Sequence, residues 1–141
     1  MTIIISFSEK EVFKLKVMVV DDSMFARQKL KEFLQEQGFE VCEADSGETA
    51  IEKYLTEKPD IVTLDITMPQ MNGIDALKKI IEIDKNAKVI MITAVRQKVN
   101  VLEAITFGAK DFIVKPFVEE QLKKSIDKIV NGVNILPISY E

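Results

Sequence analysis

Five side chains placed at the ends of apolar runs carry the reactive groups of this sequence. Val17 to Val20 runs into Asp21 and Asp22, Ile61 to Leu64 into Asp65, Val89 to Ile92 into Thr93, and Asp111 to Val114 into Lys115 and Pro116. Three carboxylates held together repel, which raises the cost of keeping them ionised. A divalent cation relieves that cost. With no histidine and a single cysteine in the chain, the oxygen ligands point to Mg²⁺ rather than zinc or copper. Lys115 adds a mobile positive charge and Thr93 a hydroxyl donor. Cation, ammonium and hydroxyl together make a receptor for the equatorial oxygens of a transferring phosphoryl group. One carboxylate then serves as nucleophile and forms an acyl phosphate. The chain has no glycine-rich phosphate loop of the nucleotide-binding kind, so the phosphoryl group is expected on a small molecule or a partner protein.

Each residue also has a plainer reading. Asp21 or Asp22 could cap a helix, although Ser23 already can, and Thr93 alone would read as a cap. Asp65 could be a turn residue, and a lysine before a proline is ordinarily a solvated loop residue. Their joint placement at strand ends favours chemistry.

The elements that must position these groups follow from periodicity. Ser23 opens a helix with Leu30, Phe33 and Leu34 on one stripe, closed at Gly38. Phe39 to Ala44 alternates like a strand with one wetter face, which suits a sheet edge. Glu48 to Thr56 is helical in spacing, and a further helix presents Ile74, Leu77, Ile80 and Ile81. Val99 to Phe107 is a less polar helix closed by Gly108, and the last runs from Glu119 to Val130, stopped by Gly132. Five short strands alternating with five helical patterns imply βα repeats: a doubly wound parallel sheet in a three-layer α/β/α sandwich. Repetition alone does not set the strand order.

Composition narrows the function classes. The 141 residues are 47% apolar and suit one domain. A formal charge of -4 argues against a chain held to nucleic acid by its overall field. Cys42 has no partner for an internal disulfide and reads as a core or half-buried thiol. No run approaches the roughly 20 apolar residues of a membrane helix, and the start does not read as a signal peptide, so the expected location is the cytoplasm.

Four stretches then establish a resemblance: "VMVVDDS" at Val17 to Ser23, "PDIVTLDITMPQMNG" at Pro59 to Gly73, "IMITA" at Ile90 to Ala94 and "GAKDFIVKPF" at Gly108 to Phe117. From about Leu15 to Val130 the chain resembles the receiver domain of two-component response regulators, particularly the stand-alone chemotaxis regulators. The resemblance implies a flavodoxin-like sheet in the order 2-1-3-4-5. It implies that Asp65 is the phosphoacceptor, and that Asp22, Asp65 and the backbone carbonyl of Thr67 are direct Mg²⁺ ligands with Asp21 acting largely through water. Thr93 and Lys115 become the phosphate contacts, and the Lys115–Pro116 bond is expected to be cis. The aromatic switch position is Phe112, whose ring can swing inward but carries no hydroxyl. Thr67 stands where the best-known chemotaxis form has asparagine, which leaves the acyl phosphate lifetime open.

The implied function is a signalling protein phosphorylated by a histidine kinase, not a conventional turnover enzyme. It would catalyse its own Mg²⁺-dependent phosphotransfer and slow dephosphorylation. One version is a chemotaxis or motility messenger that binds a flagellar motor-switch protein or another target, with a phosphatase as a further partner. The alternative is a phosphorelay intermediate or an adaptor for another kinase, phosphatase or partner. A metal-dependent phosphohydrolase is disfavoured, because Ile66 beside Asp65 offers no acid or base. Residues 1–14 form an N-terminal extension, 15–130 the receiver domain and 131–141 a C-terminal tail. Both tails carry β-prone apolar residues, so at least one is expected to be ordered at the rim opposite Asp65, or to pair with a second copy as a homodimer.

Overall fold

The structure, a computed structural model, describes residues 14–131. β1 (Lys16–Val20) is followed by α1 (Met24–Glu36), β2 (Glu40–Ala44), α2 (Gly47–Glu57) and β3 (Ile61–Leu64). Then come α3 (Gly73–Ile83), β4 (Val89–Thr93), α4 (Lys98–Thr106), β5 (Asp111–Val114) and α5 (Glu119–Val130). All strand pairs are parallel and the order is β2-β1-β3-β4-β5, as the family resemblance implies. The expected edge position of Phe39 to Ala44 is met by β2. The helix stop at Gly132 and the two tails lie outside the described residues.

Central strands buried on both faces read as continuous apolar runs because alternate side chains feed different cores. Met18, Val20, Val62, Leu64 and Met91 join the core beneath α2, α3 and α4. Val17, Val19, Ile61, Ile90 and Ile92 join Phe33, Leu34, Leu122 and Ile126 of α1 and α5 on the other face. The carboxyl ends of the strands form one rim.

Local signals end the helices as the residue types require. Ser23 caps α1, its hydroxyl accepting from the Ala26 N–H at 3.2 Å. Gly38 and Gly108 take left-handed φ values of 97° and 111° just beyond α1 and α4. Asn72 caps α3, its side-chain oxygen accepting from the N–H groups of Ile74 and Asp75.

Candidate functional site

The rim is assembled by strand register. Asp21 follows β1 and is fastened to β2 by its N–H, which donates to the Ala44 carbonyl at 3.2 Å. Asp65 follows β3, and its N–H donates to the Val20 carbonyl at 3.1 Å. Neighbouring parallel strands thereby carry the two acids to one place. Asp21 is 3% exposed and Asp65 7%, while Asp22 is exposed at the mouth. One carboxylate oxygen from each of Asp21, Asp22 and Asp65 lies within 4.8 Å of the others.

Lys115 answers this negative charge. Its ammonium lies 2.7 Å from Asp21 Oδ2 and 3.3 Å from Asp65 Oδ2. Burial works against the charged ammonium, but hydrogen bonding to Asp21 and the nearby Asp65 charge outweigh it and hold its pKa above the ordinary lysine value. The remaining carboxylate oxygens are steered by backbone. Asp21 Oδ1 accepts from the Ser23 N–H at 2.9 Å, and Asp65 Oδ1 accepts from the Thr67 N–H at 3.1 Å. Three carboxylates against one ammonium leave room for a divalent cation, and the donors are hard oxygens. The half-buried thiol Cys42 belongs to β2 and is not part of this acid cluster. The residues therefore fit Mg²⁺.

Thr93 is fully buried at the end of β4, one residue further into the strand than the apolar run suggests. Its hydroxyl accepts from the Val95 N–H at 3.3 Å, and its carbonyl accepts from the Lys115 N–H at 2.8 Å. The Lys115–Pro116 peptide is cis, as expected. Phe112 lies on the same face of the sheet as Thr93 and is 2% exposed within the core beneath α2, α3 and α4. Its ring is buried in that core.

The contacts of two residues at the rim are not legible in the motifs. Gly73 begins α3 directly against the Asp65 backbone: a Cβ there would overlap the Asp65 carbonyl oxygen and stand 2.7 Å from its carbonyl carbon. Arg27 of α1 donates from Nη1 to the Asp21 carbonyl at 2.7 Å. An arginine near the start of a helix, followed by Lys29, Lys31 and Glu32, carries no sequence signal of that contact.

A doubly wound sheet of order 2-1-3-4-5 with three acids and a lysine gathered at its carboxyl rim defines an α/β domain with an acidic pocket where the strands end. The response regulator receiver domain matches residues 17–127, and the chain belongs to that family. It is 52% identical to the chemotaxis protein CheY of Thermotoga maritima over 115 residues, 81% of this chain and 96% of the relative. The chemotaxis protein CheY of Bacillus subtilis is 49% identical over 117 residues, 82% of this chain and 98% of the relative. Among solved structures, a chain from the CheX–CheY–BeF₃–Mg²⁺ complex of Borrelia burgdorferi superposes with a TM-score of 0.80 at 41% identity, covering 82% of this chain and 89% of that one. Among the described residues, no helix is long and apolar enough to cross a membrane.

Proposed function

We propose that Asp65 accepts a phosphoryl group from a histidine kinase and that the charged chain then signals to a chemotaxis or motility target in the cytoplasm. The observation that carries this reading is the contact of Lys115 with both Asp65 and Asp21 inside a three-carboxylate cluster. Asp22, Asp65 and the Thr67 carbonyl would hold Mg²⁺, with Asp21 acting through water. The bound ion would supply Lewis-acid stabilisation of the phosphoryl oxygens and offset repulsion from the carboxylates. Asp65 supplies the nucleophilic carboxylate oxygen, which bonds to phosphorus as the bond to the donor's leaving group breaks. Lys115 is already beside that carboxylate and takes up charge on the phosphoryl group. Thr93 moves its hydroxyl toward the new oxygens, vacating space that Phe112 fills, and the change is read on the face made by Val95 to Phe107, β5 and α5.

The receiver unit of this reading is 15–130, with 1–14 and 131–141 as extensions that serve stability or pairing with a second copy. Relatives named as chemotaxis proteins over more than nine-tenths of their length support the motility output. Capture on immobilised chain with and without beryllofluoride and Mg²⁺ tests it. Beryllofluoride-dependent retention of a purified flagellar motor-switch protein is expected. Retention of a histidine-phosphotransfer protein or another kinase instead would replace the motility reading with a relay.

A further inference from the structure

Arg27 sits directly behind the acidic loop, in the first turn of α1. Its guanidinium donates from Nη1 to the Asp21 carbonyl at 2.7 Å and from Nε to Glu43 Oε1 at 3.1 Å. The side chain is 13% exposed, so water competes little for either bond. Glu43 is itself anchored: Lys31 lies 3.2 Å from its Oε2, and the Lys53 ammonium donates to its carbonyl at 2.6 Å. Two helices therefore fix Glu43, and Arg27 spans from Glu43 to the loop.

The Asp21 residue is consequently gripped on both backbone groups from the direction of β2. Its N–H is taken by Ala44, next to Glu43, and its C=O by the arginine that Glu43 holds. The second grip matters most, because that carbonyl belongs to the peptide joining Asp21 to Asp22. A trans peptide is planar, so fixing the C=O toward Arg27 also fixes the direction of the Asp22 N–H and the place of the Asp22 Cα that carries its side chain. Asp22 is exposed, with less packing than its neighbour to hold it in place. Released from Arg27, that peptide can rotate, and the Asp22 carboxylate leaves its place facing Asp65. Ligands positioned beforehand bind a cation more tightly than ligands that must be ordered on binding.

We infer that Arg27, anchored by Glu43, is a positioning residue that sets the divalent-cation affinity of the rim without touching the cation or the phosphoryl group. This rests on the reading of Asp21, Asp22 and Asp65 as the cation site.

Calorimetric Mg²⁺ titration of the full chain tests it, comparing wild type with Arg27→Met, Arg27→Lys and Glu43→Gln. Lys16→Met is the control: it breaks the 2.9 Å Lys16–Glu57 pair at the opposite end of β1. Arg27→Met should weaken Mg²⁺ binding by about tenfold, the usual scale for losing an outer partner of a metal site. Arg27→Lys, which can keep one of the two bonds, and Glu43→Gln should weaken it less, and Lys16→Met should leave it unchanged. In acetyl phosphate labelling, Arg27→Met should raise the half-saturating Mg²⁺ by the same factor while the rate at saturation stays within about twofold. A merely destabilised chain would not show that split. Equal Mg²⁺ affinity in wild type and Arg27→Met, or a fall in the saturated rate with unchanged half-saturation, overturns the inference and leaves the cation reading standing. If the wild type takes up no Mg²⁺, the cation reading itself fails and the inference with it. Should Arg27→Met not fold, Arg27→Lys and Glu43→Gln decide: weaker binding in both supports the role, unchanged binding overturns it.

Discussion

The ammonium nitrogen of Lys115 lies 3.3 Å from Oδ2 of Asp65, a residue 50 positions earlier in the chain. Its pKa stays above the ordinary lysine value, so this pairing is fully present below the unfolded value of about 10.4. It is lost only as pH rises through the higher folded value. Lys115→Met should reduce acetyl phosphate labelling of Asp65 by about a hundredfold, the scale of removing one charge-stabilising donor. Mg²⁺ binding should be kept or tightened, because a competing cation has gone. Mass spectrometry of the labelled chain and calorimetry of the unlabelled one check both arms. Weakened Mg²⁺ binding would contradict this account of the lysine.

Gly73 supports Asp65 from beneath. The atoms that a Cβ would meet are backbone, the Asp65 carbonyl and the Ile66 Cα, and backbone cannot swing aside as a flexible side chain can. Gly73→Ala should therefore cost about 1–3 kcal/mol as overpacking. It should also displace the loop that carries Asp65. Thermal melting and labelling, measured together on the variant, should both fall, and a variant that melts and labels like wild type would refute the close approach.

Thr93→Ala removes the hydroxyl assigned to reading the phosphoryl group while leaving the Thr93 carbonyl that accepts from Lys115. The variant should be labelled at a rate within about tenfold of wild type, the scale of one neutral hydrogen bond, yet bind its target without dependence on beryllofluoride. Unchanged dependence would show that the signal leaves the rim by another route.

Tyr54 of α2 donates its hydroxyl to Asp84 Oδ2 at 2.8 Å, beyond the end of α3. Burial, then the hydrogen bond and charge of Asp84, push its phenol pKa well above the usual value. The folded chain thus keeps a proton that the unfolded chain releases. Stability is full below the unfolded tyrosine value of about 10 and falls as pH rises from there toward the folded value. Urea melts at pH 9 and pH 11 should show that loss, and Tyr54→Phe should lose about 1 kcal/mol at neutral pH but show a shallower alkaline decline. An equal decline in both chains would mean that other groups govern it.

Much of this architecture can be read from residues alone because the three inner strands, β1, β3 and β4, are buried on both faces. Ile61 to Leu64 and Val89 to Ile92 then stand out as apolar runs, and Asp65 and Thr93 at their ends mark the rim. Strand order is different: βα repetition sets handedness, and the order 2-1-3-4-5 came from the family resemblance. Arg27 was hidden because it looks like any basic residue on the wet side of an amphipathic helix. Its meaning lies in a carbonyl acceptor and in Glu43 of another strand. Phe112 was visible as a position, but its fully inward packing depends on α4 and its neighbours, which no local pattern reports.

The measurement that bears most directly on the whole account is the intact mass of the chain after incubation with acetyl phosphate and Mg²⁺. One added phosphoryl group is expected, mapped to Asp65 by borohydride reduction of the acyl phosphate and peptide sequencing. It should be absent in Asp65→Asn and in excess chelator. Labelling that persists undiminished in Asp65→Asn, or that ignores the chelator, would contradict the account.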